Sequence, residues 1–294
     1  MKKVIISVLV IILTTYELYA QDVKLGFRGG LNLPNIVAGG SNTPVSEDYK
    51  SRLAPAYGIF TELQISPIVS LRFGVEYSGM GGKKDGMQAM PTTRLLTEMG
   101  NQLGMSVSEE QIAGLMSMAA YLPQYYYADI KNTVKFDYIM VPILAQFGWN
   151  IGQTPWQVYF NVGPFVSFLL TGTQVSDGKS SMFTDASGAQ TLWQAIEAQM
   201  PPENLEMIKL TFPQMQVALN DPLDFGETNV TAEMKSANFG ITGNVGFRYH
   251  RNRSTFFIEG GGNFGFITVQ KDESNGTNRL GAGCIMLGYS FSMF

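Results

Sequence analysis

The sequence predicts an all-β membrane protein: an eight-stranded antiparallel transmembrane β-barrel with short periplasmic turns and long, partly helical extracellular loops. Three observations carry that expectation. Eight segments alternate apolar residues with small or polar ones at period two, the mark of a strand with one apolar face. The connections between them run long, short, long, short, long, short, long. Outer-membrane barrels are built that way, with short periplasmic turns, longer outer loops and an even strand number. The last segment, Gly283–Phe294, sets Ile285, Leu287, Tyr289, Phe291 and Met293 on one face and closes on an aromatic residue.

At the start of the chain, Lys2 and Lys3 precede the apolar run Val4–Leu13, and a more polar stretch ends at Ala20. This pattern predicts a secretory signal peptide over residues 1–20, cleaved near Ala20, with the barrel over 21–294. The first strand, Val23–Leu33, sets Val23, Leu25, Phe27, Leu31 and Leu33 against Lys24, Arg28 and Asn32. A Gly-, Asn-, Ser- and Pro-rich insertion follows at about 34–54. The second strand, Pro55–Ile65, turns at Ser66-Pro67 into a third carrying Val69, Leu71, Phe73, Val75 and Tyr77 outward.

The insertion at about 81–133 holds a helix candidate from Ser108 to about Leu122, opened by a Ser-Glu-Glu-Gln capping box. The fourth strand, Val134–Trp149, and the fifth, from Trp156, flank a short turn. Val158, Phe160, Val162, Val166, Phe168 and Leu170 give the fifth the cleanest alternation. A further insertion at about 172–235 shows helical patterning at Leu192–Met200 and Leu205–Leu210. The sixth and seventh strands meet at a two-residue turn near Asn252-Arg253, and a polar loop at about 269–278 leads into the eighth.

Composition closes several alternatives. No run of about 18 apolar residues follows the leader, so helical spans are not expected. Without Lys2, Lys3 and Glu17, the 20 basic and 24 acidic residues fall to 18 and 23. That balance lacks the basic footprint a nucleic-acid partner needs. Cys284 is the lone cysteine, so no internal disulfide can form. A soluble lipocalin-type barrel would turn its apolar face inward; here the apolar face is the more continuous one. Trp149, Trp156, Tyr249 and Phe256 also fall beside the short turns, where an aromatic girdle meets the membrane interface.

The segments Val23–Asn32 (VKLGFRGGLN), Phe73–Ser78 (FGVEYS), Phe136–Pro142 (FDYIMVP), Asn161–Pro164 (NVGP) and Leu287–Phe291 (LGYSF) occur in an order that resembles the PorT-like outer-membrane β-barrel family of Bacteroidota. The resemblance spans all eight strands and omits the two large insertions. It implies an eight-stranded barrel in the outer membrane of a Gram-negative bacterium. It carries no biochemical activity, and its named member is tied to protein secretion.

Eight charges are expected to face the lumen: Lys24, Arg28, Glu62, Arg72, Glu76, Arg248, Glu259 and Arg279. Pairing about Pro67 sets Glu62 opposite Arg72, and Arg248 lies diagonally from Glu259. Eight strands leave an interior that side chains can just fill, and buried charges must be paired. A salt-bridged plug is therefore expected rather than a diffusion pore. An enzyme on a small barrel would need a general base, and the only histidine, His250, falls at a short turn. Gly260-Gly261-Gly262-Asn263-Phe264-Gly265 has no helix after it and reads as strand, not as a phosphate loop. No catalytic, cofactor or metal site is expected.

The insertions are rich in methionine: Met87, Met90, Met99, Met105, Met116 and Met118 in one, Met182, Met200, Met207, Met215 and Met234 in the other. Thioethers can hold Cu(I), but they also pack irregular cores and adaptable surfaces. Packing within a folded cap is the expectation. The second insertion is acidic and would suit a basic protein surface. The functional expectation is a non-enzymatic barrel, in contact with outer-membrane lipid, that presents a folded cap to a protein or ligand. It could then serve as a subunit of an envelope or secretion assembly. The alternative is a narrow channel or carrier for a small or apolar solute, gated by its loops.

Overall fold

The computed structural model describes residues 22–38, 44–93, 95, 121–211, 223–224, 226–273 and 276–293. The expected leader lies outside these residues, as does almost all of the helix expected from Ser108. Five strands come first: β1 (Val23–Ala38), β2 (Ala54–Gln64), β3 (Val69–Pro91), β4 (Tyr125–Asn150) and β5 (Trp156–Asp177). The next connection holds β6 (Lys179–Ser180), helices α1 (Leu192–Gln199) and α2 (Pro202–Thr211), β7 (Leu223–Asp224) and β8 (Glu227–Asn229). Then come β9 (Ala237–Arg251), β10 (Ser254–Gly265) and β11 (Asn278–Ser292).

Hydrogen bonding runs β4-β3-β2-β1-β11-β10-β9-β5, and β5 pairs back onto β4. The ring is thus an eight-stranded antiparallel barrel closed between β1 and β11, where Lys24 faces Ser292 and Ala38 faces Asn278. Closure satisfies every strand edge, which hydrocarbon demands because it offers no hydrogen bonds. Short turns join β2–β3, β4–β5 and β9–β10. In the last, Asn252 adopts a left-handed φ of 55°, a conformation Asn tolerates in tight hairpins.

The outward face is apolar around the ring. Phe27, Ile59, Val75, Ile143, Val166, Phe247, Ile258 and Leu287 are all exposed. At the short-turn end the aromatic side chains touch one another. Trp156 lies 5.0 Å from Tyr249, Phe256 5.1 Å from Tyr289, and Trp149 5.8 Å from Phe160, centroid to centroid. Trp149, Trp156 and Phe256 are exposed and Tyr249 is half-buried.

Three strands are much longer than a membrane requires. β3, β4 and β5 have 23, 26 and 22 residues, whereas about 9–11 tilted residues cross a bilayer. The insertions expected at about 81–133 and 172–235 therefore begin as strand, since β3 runs on to Pro91 and β4 starts at Tyr125. The two faces exchange character on the way. Below Asp137, β4 presents Ile139, Val141 and Ile143 outward. Above it the outward positions are Lys135, Thr133, Lys131 and Asp129, while Phe136, Val134, Ile130 and Ala128 are buried inside. Water replaces lipid outside at this level, and the apolar residues turn inward to make a core. The β4–β5 register shifts at the same place, between Asp137 and Tyr138.

The barrel interior fills by setting large residues against none. A Cβ on Gly26 would overlap the Phe60 ring, and one on Gly288 would overlap the Phe257 ring. Glycine at these inward positions is what admits the two phenylalanines. Gly288→Val should therefore lower unfolding stability by about 1–3 kcal/mol through overpacking. Urea titration in lipid vesicles, read by tryptophan fluorescence, measures this, and an unchanged midpoint would contradict the packing.

Candidate functional site: a charged lumen beneath an outer cup

Inward positions on five strands converge on one charged layer. β1 supplies Arg28, β2 Glu62, β3 Arg72 and Glu76, β9 Arg248, and β10 Glu259. All six are buried. Arg28 grips Glu76 with both fork nitrogens, Nε to Oε1 and Nη2 to Oε2, each at 2.8 Å. Its Nη1 donates to Glu259 Oε1. Glu259 also accepts from Arg72 Nη1 at 3.1 Å, from Tyr159 at 2.7 Å and from Asn161 at 3.3 Å. Arg248 spans the lumen to Glu62 with two bonds of 2.9 Å. Three guanidinium and three carboxylate groups therefore cancel.

Aromatic rings complete the layer. The Arg72 guanidinium lies 4.5 Å from the Phe60 ring centre and 5.1 Å from that of Phe257, and Arg248 lies 4.2 Å from that of Tyr159. Arg72 Nε and Nη2 find no hydrogen-bond acceptor, so these π faces take up part of the cation's field. Toward the short turns, Glu62 accepts from Ser70, which in turn accepts from Gln146. Lys24 sits at that end, 3.5 Å from Asp22.

Seven of the eight expected lumen charges are thus buried inside the ring. Arg279 is not: it points outward and is exposed. Counting by twos from Ile285 gives this answer, since 279 shares its parity. Arg248 lies diagonally from Glu259, as expected, with Phe257 directly opposite it, but it bonds Glu62 across the lumen, while Glu259 is taken by Arg28 and Arg72. Phe60, Tyr159 and Phe257 were hidden by their apolar character, yet each lies two positions from Glu62, Asn161 or Glu259. His250 sits on the last-but-one residue of β9, its Nδ1 3.0 Å from Thr255 Oγ1. Cys284 Sγ lies 3.3 Å from Asn244 Oδ1, and Gly260–Gly265 is strand.

The lumen stays narrow above the charges. One inward step up from Glu76, around Ser78, Phe165 and Asn263, the free space is about 10 Å³, room for about one water. A further step up, Tyr138, Met80 and Leu280 are buried, and above them an open cup of about 630 Å³ begins. Beyond the cup, the β3–β4 extension carries a separate apolar core of Tyr126, Ala128, Ile130, Met182, Leu192, Trp193, Ile196 and Met200. Helix α1 enters it through a capping box: Thr191 Oγ1 accepts from Gln194 N, and Gln194 Oε1 accepts from Thr191 N. That Thr-x-x-Gln signal was in the sequence and marks the helix start. Met99, Met105, Met116, Met118 and Met215 lie outside the described residues. Among the described residues no group of three or more His, Cys, Asp or Glu is placed to hold a metal.

A closed antiparallel ring, apolar outside and charge-paired within, defines an outer-membrane β-barrel. Residues 19–271 match the model of the family described as outer membrane protein beta-barrel domain, and the chain belongs to that family. Among solved structures it is similar to neisserial surface protein A (10% identity, 92% of this chain and 97% of that one, TM-score 0.38). OprG from Pseudomonas aeruginosa is similar at 10% identity, 93% and 97% coverage and TM-score 0.37. A major outer membrane protein from Thermus thermophilus gives 9%, 94% and 100%, and 0.40. No curated protein matches the chain.

Two outcomes follow from this chemistry. Glu259→Ala leaves Arg28 and Arg72 without their shared carboxylate. It should cost about 3–5 kcal/mol, whereas Lys209→Ala, at an exposed pair, should cost less than about 1 kcal/mol. Equal urea midpoints for the two variants would contradict the network. The second concerns Lys84 above the membrane, which donates to Val45 O at 2.8 Å and tethers the segment before β2. Burial lowers its pKa to about 8, with Asp48 and Glu47 pulling it back up. The docked state thus prefers the neutral amine, so docking is weakest below pH 8 and strengthens as pH rises toward 10.5. Amide exchange of residues 45–50, corrected for its intrinsic pH dependence, should show added protection over that window, and Lys84→Met should abolish the trend.

Proposed function

We propose that this barrel is a non-enzymatic, non-conducting platform. It holds a folded cap outside the cell for engagement by a protein or ligand, as a subunit of an envelope assembly. The observation that carries the reading is the filled lumen beneath a separately packed outer unit. A neutral, hydrogen-bonded plug leaves no continuous water path, and the long β3–β4 extension spends its residues above the membrane. The PorT-like resemblance supports placement in an envelope or secretion assembly. The aromatic row at the short-turn end supports anchoring in outer-membrane lipid by Trp149, Trp156, Tyr249 and Phe256.

Planar-bilayer recording tests the sealed lumen. The wild-type protein should give no well-defined single-channel steps. Steps that change with Arg72→Ala or Glu62→Ala would favour a channel or carrier instead. Replacing residues 92–124 by a short Gly-Ser turn should leave the heat-modifiable gel shift of the barrel intact. Loss of that shift would sink the idea of a modular cap.

A further inference from the structure

The open cup has a chemistry of its own. Its walls are Ile36 from β1, Val134 and Phe136 from β4, Val230 after β8, and Val269 after β10. Its volume of about 630 Å³ falls within the range of small-molecule pockets, about 300–1,000 Å³. The floor is closed by Tyr138, Met80 and Leu280, so an occupant can enter only from the outer side. Gln174, Thr228, Gln270 and Asn278 add polar atoms to this lining, and its charged residues are Glu233, Lys271 and Asp272.

The rim charges decide which polar end such an occupant carries. Lys271 Nζ is already engaged by the Ala232 carbonyl at 2.8 Å. The neighbouring Lys235 is paired with Glu273 at 2.9 Å. Among the described residues no ion pair engages the Glu233 carboxylate, and Glu233 is exposed at the mouth. Its backbone is held in place, since its carbonyl accepts from Lys271 N at 2.9 Å. Glu233, Asp272 and Lys271 together leave the cup's lining one negative charge, which disfavours an anionic head. A cationic head would find an uncommitted carboxylate.

We infer that the cup binds one compact apolar molecule bearing a protonated amine, its body against Phe136, Val134 and Val230 and its ammonium at Glu233. The inference rests on the sealed-barrel reading, which makes the cup a dead end rather than the entrance of a passage. It gives the ligand class for that platform.

The test uses the full mature chain in phosphatidylcholine nanodiscs, with empty nanodiscs as the background. Equilibrium dialysis compares three probes of one shape: 2-naphthylmethylamine, 2-naphthalenemethanol and 2-naphthoic acid. The amine should bind about tenfold more tightly than the acid, with the alcohol between. Glu233→Gln should bring the amine to the alcohol's affinity. Ala232→Trp, at an exposed rim position that leaves the core intact, should weaken all three by about tenfold or more. Each variant's gel shift checks that the barrel is folded.

Equal affinity for amine and acid, or amine binding indifferent to both substitutions, would overturn the inference. Bilayer recording on the same preparation separates the two readings. A protein that does not conduct and binds no amine overturns the ligand class alone. One that conducts overturns the sealed barrel beneath it.

Discussion

The barrel depends on charge neutrality in a place without solvent. Three arginines and three glutamates share one layer of the lumen, and Arg72 and Glu259 are each only 1% exposed. Any one of these ions alone would carry a desolvation cost of several kcal/mol. The layer is tolerable because each carboxylate meets at least one guanidinium and the surplus donors of Arg72 face aromatic rings. Glycines such as Gly26 and Gly288 follow from it, since rings and guanidinium groups need the volume that missing side chains release. The filled charge layer is therefore a consequence of packing one network inside eight strands, a ring with an interior just wide enough for side chains to fill.

Most of the membrane-embedded part was legible in the sequence because a lipid-facing strand leaves a strong signal. Period two, apolar on one side, identified all eight strands, and seven of the eight charges it assigned to the lumen lie there. The partners were less legible. Hairpin register predicts neighbours along the wall, as it did for Glu62 and Arg72. It says nothing about who meets across the lumen, and Arg28–Glu76, Arg28–Glu259 and Arg248–Glu62 all join strands that are not neighbours.

The outer extension was not legible for a different reason. At Asp137 the apolar parity of β4 moves from odd to even residues, because the surroundings change from lipid to water and the inside becomes a core. A reading that follows one apolar face meets this as the end of a strand. The strand continues, with its faces exchanged. The same exchange makes the cup and the cap: Val134 and Phe136 line one, and Ala128 and Ile130 belong to the other. One change of phase in β4 thus supplies apolar wall to both.

The length of β4 has a mechanical meaning. From Asp137 to Tyr125 the strand travels about 40 Å beyond the lipid-facing part, hydrogen-bonded to β3 along the whole way. The outer unit is therefore mounted on a hydrogen-bonded ladder, three-stranded up to Lys131 where β5 ends and two-stranded beyond it, rather than hung from a leash. A pull on it along the strands loads the ladder in shear, many bonds at once, and passes directly into the barrel wall. A force applied to the outer unit is thus borne by the membrane-embedded ring itself.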